Sequence, residues 1–267
     1  MESKIFMLGT GNGSTKHFFN TCFVIHNEEG DFLIDTGGSI ELLNRLEYFN
    51  VDFRKIKNIF ISHSHADHVL GLMWYFKSII GYLMKNNPNE KIKIFCNKEV
   101  YDSIIKIAEN ILQEIIVESI KKYFDFIVLN DGDIYKINGV KYEFFDIYAK
   151  GFRQFGFEGE LNNKRFIFLG DETIDNKVYE RVKNADFVAH EAFCLDSEEK
   201  IFHPYEKNHS TVKSSCEIME KLRVKKLMLY HTEETHGSNR KKLYLEEADK
   251  HFSGKCIIPD DFEIIEI

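Results

Sequence analysis

The chain has little of what would mark it as fibrous, disordered or membrane-spanning. It has three prolines and 16 glycines in 267 residues, too few for a collagen-like or Pro/Gly-rich disordered chain. No run approaches the roughly 18 apolar residues that a bilayer-spanning helix needs. The N-terminus Met1-Glu2-Ser3-Lys4-Ile5-Phe6 lacks a charged segment followed by a long apolar one, so no secretory signal is expected. There is no basic excess: 35 Lys+Arg stand against 43 Asp+Glu, a formal net charge of −8. That balance argues against non-specific nucleic-acid binding, whose affinity comes from neutralising phosphates. Cysteine is scarce and odd in number (Cys22, Cys96, Cys194, Cys216 and Cys256), with no CxxC pair. A reduced, cytoplasmic protein is therefore expected.

What is present is apolar volume: 24 Phe and 12 Tyr, with 43% hydrophobic and 29% charged residues, the mixture of a globular protein. Length alone allows one or two domains at about 150 residues each. Strand-like runs (Ile5–Leu8, Cys22–Ile25, Phe32–Ile34, Ile59–Ile61, Lys91–Cys96) alternate with helical stretches starting at Ser39 and Val69 and covering Glu99 to about Lys122. Asn86-Asn87-Pro88 closes the second of these. Tyr135–Ile137 and Val140–Phe144 flank the turn pair Asn138-Gly139, a strong hairpin signal. Further strands are expected at Phe166–Leu169, Phe187–Ala189 and Leu227–Tyr230, and helices at Ser210–Leu222, with Ser210 as N-cap, and Arg240–His251. The pattern is α/β, with antiparallel strands expected late in each half and no linker or repeat, so one domain spans 1–267.

The histidines are uneven. Three fall in Ser62-His63-Ser64-His65-Ala66-Asp67-His68, directly after the apolar strand Ile59–Ile61. In an extended segment His63 and His65 point to one side, and after a turn Asp67 and His68 can address a neighbouring point. Imidazole and carboxylate suit one or two borderline ions such as Zn²⁺, Fe or Mn²⁺. Further polar residues stand where other strands end: Asp35, Asp171 and His231.

With these residues the chain resembles the metallo-β-lactamase superfamily, in its ribonuclease Z-like branch. The His-x-His-x-Asp-His motif at His63–His68 carries the resemblance, joined by Leu8–Gly11, Asn20–Cys22, Phe32–Gly37, Gly170-Asp171 and His231. His190-Glu191-Ala192-Phe193 and His209-Ser210-Thr211 look like the two motifs that mark ribonuclease Z-type members. The resemblance implies a four-layer αβ/βα sandwich with the metals at one edge between the sheets. It implies that His63 and His65 bind one ion, Asp67 and His68 a second, that Asp171 bridges them, and that His231 completes the second site. A metal-activated water would attack a phosphodiester. His209, oriented by Glu191, would protonate the leaving oxygen as general acid. Asp67, His209 and Glu191 are thus the expected catalytic residues, Asp35 an outer partner holding the ligand loop, and His190 a packed strand residue. Such relatives are often homodimers.

The pattern breaks twice. The resemblance calls for one more histidine before Asp171, but none occurs from Val69 to Ala189, and the position falls on Tyr148. The first ion site can be weak or empty, Tyr148 can be ionised by ferric iron, or water can fill the position while Tyr148 packs. The last reading is preferred, because a phenol with a pKa near 10 binds zinc poorly. Secondly, only 22 residues separate Tyr148 from Asp171. They are too few for the arm with which ribonuclease Z enzymes clamp transfer RNA. The basic clusters Lys121-Lys122, Lys225-Lys226 and Arg240-Lys241-Lys242 read as solvated faces. The expected function is a metal-dependent hydrolase of phosphodiesters or a related small ester, with a small-molecule or phosphodiester substrate and transfer RNA as a secondary, less favoured one. An iron- or oxygen-sensing or degenerate metal-binding protein, resting on Tyr148, and a lactone or thioester hydrolase are the alternatives. Loops after Gly11, Met73 and Phe193 are expected to shape the pocket.

Overall fold

The computed structural model of the chain describes residues 2–87 and 89–267. Pro88, expected to close a helix, lies outside the described residues. In chain order the elements of the first half are β1 (Lys4–Gly9), β2 (Cys22–Asn27), β3 (Gly30–Ile34), α1 (Glu41–Tyr48), β4 (Asn58–Ile61), α2 (Ala66–Asn86), β5 (Ile92–Cys96), α3 (Lys98–Ile111), α4 (Glu114–Tyr123) and β6 (Phe124–Val128). The second half comprises β7 (Asp133–Ile137), β8 (Val140–Asp146), β9 (Phe155–Leu161), β10 (Lys164–Phe168), α5 (Tyr179–Val182), β11 (Phe187–Glu191), α6 (Glu199–Phe202), α7 (Val212–Lys221), β12 (Lys226–Tyr230), α8 (Arg240–His251) and β13 (Lys255–Ile257); the terminal strand β14 (Ile264–Glu266) returns to the first sheet.

Two seven-stranded sheets result, in the orders β14-β1-β2-β3-β4-β5-β6 and β13-β12-β11-β10-β9-β8-β7. The strands read as continuous apolar runs because both faces of each sheet are covered. In β1, Ile5 and Met7 enter a core shared with Phe144, Phe157 and Phe168 of the opposite sheet, while Phe6 and Leu8 pack beneath the first-half helices. A third core, including Ile167, Val188, Leu227, Cys216 and Tyr244, lies under the second-half helices. The layers are thus helices, sheet, sheet, helices: the four-layer αβ/βα sandwich. Phenylalanines dominate the central layer, with rings such as Phe60 and Phe157 meeting edge-to-face at 5.5 Å.

The hairpin of β7 and β8 turns through Asn138 (φ 45°) and Gly139 (φ 77°), both left-handed as a two-residue type I′ turn requires. Five expectations need correction. Apart from the terminal β14, which joins β1 antiparallel, antiparallel pairing comes early in each half, in β1–β3 and β7–β10, and parallel pairing late, in β3–β6 and β10–β13. Hairpins open each half, and helical crossovers, which demand parallel strands, follow. The stretch from Glu99 to Lys122 is two helices, broken where Leu112 and Gln113 take extended backbone. The cap of α7 is Thr211, whose side chain accepts from the Ser214 amide, rather than Ser210. No loop follows Met73, which sits inside the unbroken α2. Arg240 is also no solvated charge: fully buried, it donates to Thr10, Thr232, the Pro259 carbonyl and Asp260 and lies over Phe18.

Candidate active site

The parallel strands bring their carboxyl ends to one edge, where sites on such sheets form. β3 ends at Asp35, β4 at the His63–His68 segment, β10 at Asp171, β11 at Glu191 and β12 at His231. His65 caps α2 with extended backbone, so Asp67 and His68 occupy the first helical turn. That change from strand to helix aims four side chains of one short segment at one place. α2 is pressed onto the loop after β3: Thr36 and Gly37 exchange hydrogen bonds with His68 and Gly71. A Cβ at Gly71 would lie 1.9 Å from the Thr36 carbonyl oxygen, so only glycine permits this approach.

Asp35, with a left-handed φ of 55°, accepts from the Ser62 amide and hydroxyl, both at 2.8 Å, and meets His68 Nδ1 at 2.8 Å. It thereby fixes both ends of the histidine segment. His231 also has a left-handed φ, 58°. Non-glycine residues rarely adopt this conformation, and here it turns the ring back over the strand ends.

Asp171 stands at the centre. Its Oδ1 is 3.5 Å from His63 Nε2, and its Oδ2 is 3.2 Å from His68 Nε2 and 3.1 Å from His231 Nε2. Asp67 Oδ2 lies 3.3 Å from His68 Nε2 and 3.4 Å from His231 Nε2, and His65 Nδ1 lies 2.9 Å from His63 Nε2. Two donor sets share Asp171: His63 and His65 on one side, Asp67, His68 and His231 on the other. Tetrahedral zinc with bonds of about 2.0–2.1 Å sets its ligand atoms about 3.3 Å apart, the spacing found in these sets. His68 Nε2 and Asp171 Oδ1 are buried without a hydrogen-bond partner. Donor chemistry, spacing and unsatisfied atoms all fit divalent ions.

The electrostatics agree. Burial holds His63 well below its ordinary pKa and lowers His65, leaving both rings with free lone pairs. Burial opposes charge on His68 as well, but Asp67, Asp35 and Asp171 outweigh it and hold that ring well above the usual range. Against burial, His68 and His231 keep Asp67 ionised, and His63, His231 and His68 do the same for Asp171. The cluster sets two ionised carboxylates against one protonated ring, His68, whose proton a divalent cation would displace.

Beside it, the rings of Phe193, His209 and His231 form a column with centroids 5.2 Å and 5.1 Å apart. His209 Nδ1 donates to the Asp171 carbonyl at 2.7 Å and lies 3.8 Å from Glu191 Oε2. Burial, reinforced by His231, brings His209 down to about 4. Glu191, fully buried, accepts from the Ser210 amide, and burial drives its carboxyl well above the usual range. His190 is a packed strand residue, its Nδ1 3.2 Å from Ser215 Oγ.

A cavity of about 220 Å³ opens onto the cluster, lined by Asp67, Asp171, His209, His231, Lys207 and the Asn12–Ser14 loop, among others. Two of the three loops expected to shape it, after Gly11 and Phe193, do so. A Cβ at Gly13 would sit 3.1 Å from the Asp67 carboxylate. Lys207, the one lysine or arginine among the described residues lining the cavity, carried no sequence signal: it reads as an ordinary surface lysine. Phe152, whose ring meets His65 edge-on at 4.6 Å, was equally unmarked.

Tyr148 is not among the cavity's lining residues. Its ring is 38% exposed and lies 4.3 Å beneath Lys177 Nζ. The segment around it is knitted by other groups: Glu172 accepts from the Lys150 amide at 2.9 Å, and buried Gln154 accepts from the Asp171 amide at 3.2 Å. The 22 residues before Asp171 hold β9 and β10 and no protruding arm.

Comparison with known proteins matches residues 3–249 to the model of the family described as anti-Pycsar protein Apyc1. The ribonuclease Z of Thermococcus sibiricus is 26% identical over 307 aligned positions, covering 99% of this chain and 96% of that protein. Among solved structures, the metallo-β-lactamase fold protein YhfI from Bacillus subtilis aligns with a TM-score of 0.75 at 16% identity, covering all of both chains. The short form of human tRNase Z aligns at 0.73 and 20% identity, covering 99% of each.

Proposed function

The chain belongs to the family of the anti-Pycsar protein Apyc1 and is a metal-dependent hydrolase of the metallo-β-lactamase superfamily, and from that premise we propose that it cleaves phosphodiesters of small substrates. The observation that carries the proposal is His209, placed in the cavity wall against His231, with its Nδ1 proton engaged by the Asp171 carbonyl. A ring held this way has only Nε2 free to exchange a proton with a substrate, which is what an alkoxide leaving group needs. In this proposal residues 1–267 work as one domain, since both sheets contribute to the cluster.

His63 and His65 would hold one divalent ion and Asp67, His68 and His231 a second, with Asp171 shared; zinc suits this donor set, and iron or manganese are the neighbouring choices. Bound there, the ions would supply Lewis acidity toward the phosphoryl oxygens and lower the pKa of water. The protein's own groups do the rest. Asp35 keeps the His68 ring turned inward through its Nδ1. Lys207 meets the negative charge of the entering diester. That charge, arriving beside His209, raises the proton affinity that burial has suppressed. His209, having taken up a proton from solvent at Nε2, then passes it to the leaving oxygen, while Glu191 and the Asp171 carbonyl hold the ring. A cavity of about 220 Å³ admits a phosphodiester with little around it, being smaller than the roughly 300–1,000 Å³ of drug-sized sites. With a net charge of −8 and one cation at the mouth, a long polyanion such as transfer RNA finds little to neutralise it.

The test is hydrolysis of an aryl phosphodiester by protein loaded with Zn²⁺ or Mn²⁺, run beside a precursor transfer RNA, a lactone and a thioester. Turnover of the diester that disappears in Asp67→Ala supports the proposal. Equal rates in wild type and Asp67→Ala, or turnover of the lactone or thioester alone, overturn it. The sensing alternative rests on a Tyr148 phenolate at the metal, and the exposed, lysine-covered position of that ring lends it no support.

A further inference from the structure

Beyond His231 the chain runs into a loop that holds a second group of ligand-type side chains. One oxygen each of Glu198 and Glu233 and one ring nitrogen of His236 lie within 4.8 Å of one another. His236 Nε2 meets Glu198 Oε1 at 2.7 Å, and Glu198 Oε2 accepts from the Leu195 amide at 3.3 Å. Glu233 is only 3% exposed; its Oε2 accepts from the Thr235 amide, and its Oε1 is buried with no partner. Among the described residues no lysine or arginine pairs with either carboxylate. Two carboxylates thus face a single imidazole, and a buried carboxylate oxygen without a partner is a costly arrangement in an otherwise packed structure. The neighbours register the field. Burial, then Glu198 and Glu233, push the Cys194 thiol up to about 12, and burial with Glu233 raises the Tyr244 phenol.

We propose that Glu198, Glu233 and His236 bind a divalent cation of the Zn²⁺ or Mn²⁺ kind, separate from the catalytic cluster. Two carboxylates and one imidazole make a three-ligand set suited to such ions, and the partial exposure of His236 leaves room for water as a further ligand. The cation satisfies the orphaned Glu233 oxygen. It also has a place in the architecture. Glu198 follows the segment of Phe193, which stacks on His209, and Glu233 follows His231. Glu234, next in the chain, accepts from the amides of Lys16, His17 and Phe18, at the back of the Asn12–Ser14 loop. An ion at this point ties together the two chain segments that border the catalytic cavity.

Zinc content per chain, measured on wild type and His236→Ala after chelation, reloading with Zn²⁺ and dialysis, tests this. One zinc fewer in His236→Ala, with Asp67→Ala still holding the ion that His236→Ala lacks, is the expected result. Equal zinc in wild type and His236→Ala overturns the proposal. A second measurement needs no variant: anomalous diffraction at the zinc edge from zinc-soaked wild-type crystals. A peak among Glu198, Glu233 and His236 supports the site, and peaks confined to the His63–His68 cluster refute it.

Discussion

The two sheets build the candidate site in opposite ways. The first contributes His63, His65, Asp67 and His68 from six consecutive residues, aimed by one strand-to-helix junction and braced by Asp35. The second contributes Asp171, Glu191, His209 and His231 one at a time, each from the end of a different strand or loop, over 60 residues of chain. Local backbone geometry sets the first group. The second exists only because β10, β11 and β12 lie side by side and in parallel. A site assembled this way concentrates its vulnerability where the halves meet, at Asp171, whose two oxygens face His63 on one side and His68 and His231 on the other.

The largest expected effect follows from that. Asp171→Ala should remove hydrolysis of an aryl phosphodiester to below detection and lower bound metal at both donor sets, as elemental analysis would show. If Asp171→Ala kept its full metal content, the halves would be independent and the comparison would fail. His209→Ala separates chemistry from metal binding within the second half. Its kcat should fall by about 10²–10⁴-fold, the range for losing a general acid, with metal per chain unchanged. Because His209, Glu191 and His231 also have ligand atoms within 4.8 Å of one another, a parallel loss of metal would make the ring a ligand instead. In the first half Asp35→Asn should weaken metal affinity or activity by about 10–100-fold, since the Ser62 and His68 contacts lose their charged acceptor. Competition against a chromogenic chelator would measure it, and an unchanged affinity would show that the strand-to-helix junction alone orients the segment.

The same contrast explains what the sequence disclosed. The histidine cluster was legible because all its members fall on one short stretch after an apolar strand; the apolar runs disclosed the strands and the α/β class, while the four layers came from the resemblance. Asp171 and His231 were marked only as polar residues at strand ends, each ordinary taken singly, and Glu191 and His209 by the resemblance alone. Arg240 was misread because a buried arginine beside two lysines looks, in a sequence, like a solvated run; its partners Thr10 and Pro259 are far along the chain. Lys207, Phe152 and Gln154 were unreadable for the same reason: their roles come from loops folded together across the strand ends. The order of antiparallel and parallel strands was misjudged because periodicity reports burial of a strand, not the direction of its neighbour.

The smallest effect is expected where the second half departs from its relatives' pattern. If Tyr148 were the first half's missing ligand, Tyr148→Phe would strip metal from the His63–His65 side and cut the rate. The ring instead sits 38% exposed under Lys177, outside the cavity lining, while His63, His65 and Asp171 already form a three-ligand set of the open kind that catalytic sites use. Tyr148→Phe should therefore change stability by no more than about 0.5 kcal/mol, the usual range for surface substitutions, with metal content and kcat unaltered. Tyr148→His sharpens the point, since it restores the residue type that the resemblance calls for. No gain of metal per chain is expected, because at this position a histidine would still face Lys177 and the solvent. A gained ion in Tyr148→His would mean that the segment around 148 can swing toward His65 past Phe152, and the open face of the first donor set would then be a consequence of one side chain rather than of the loop that carries it.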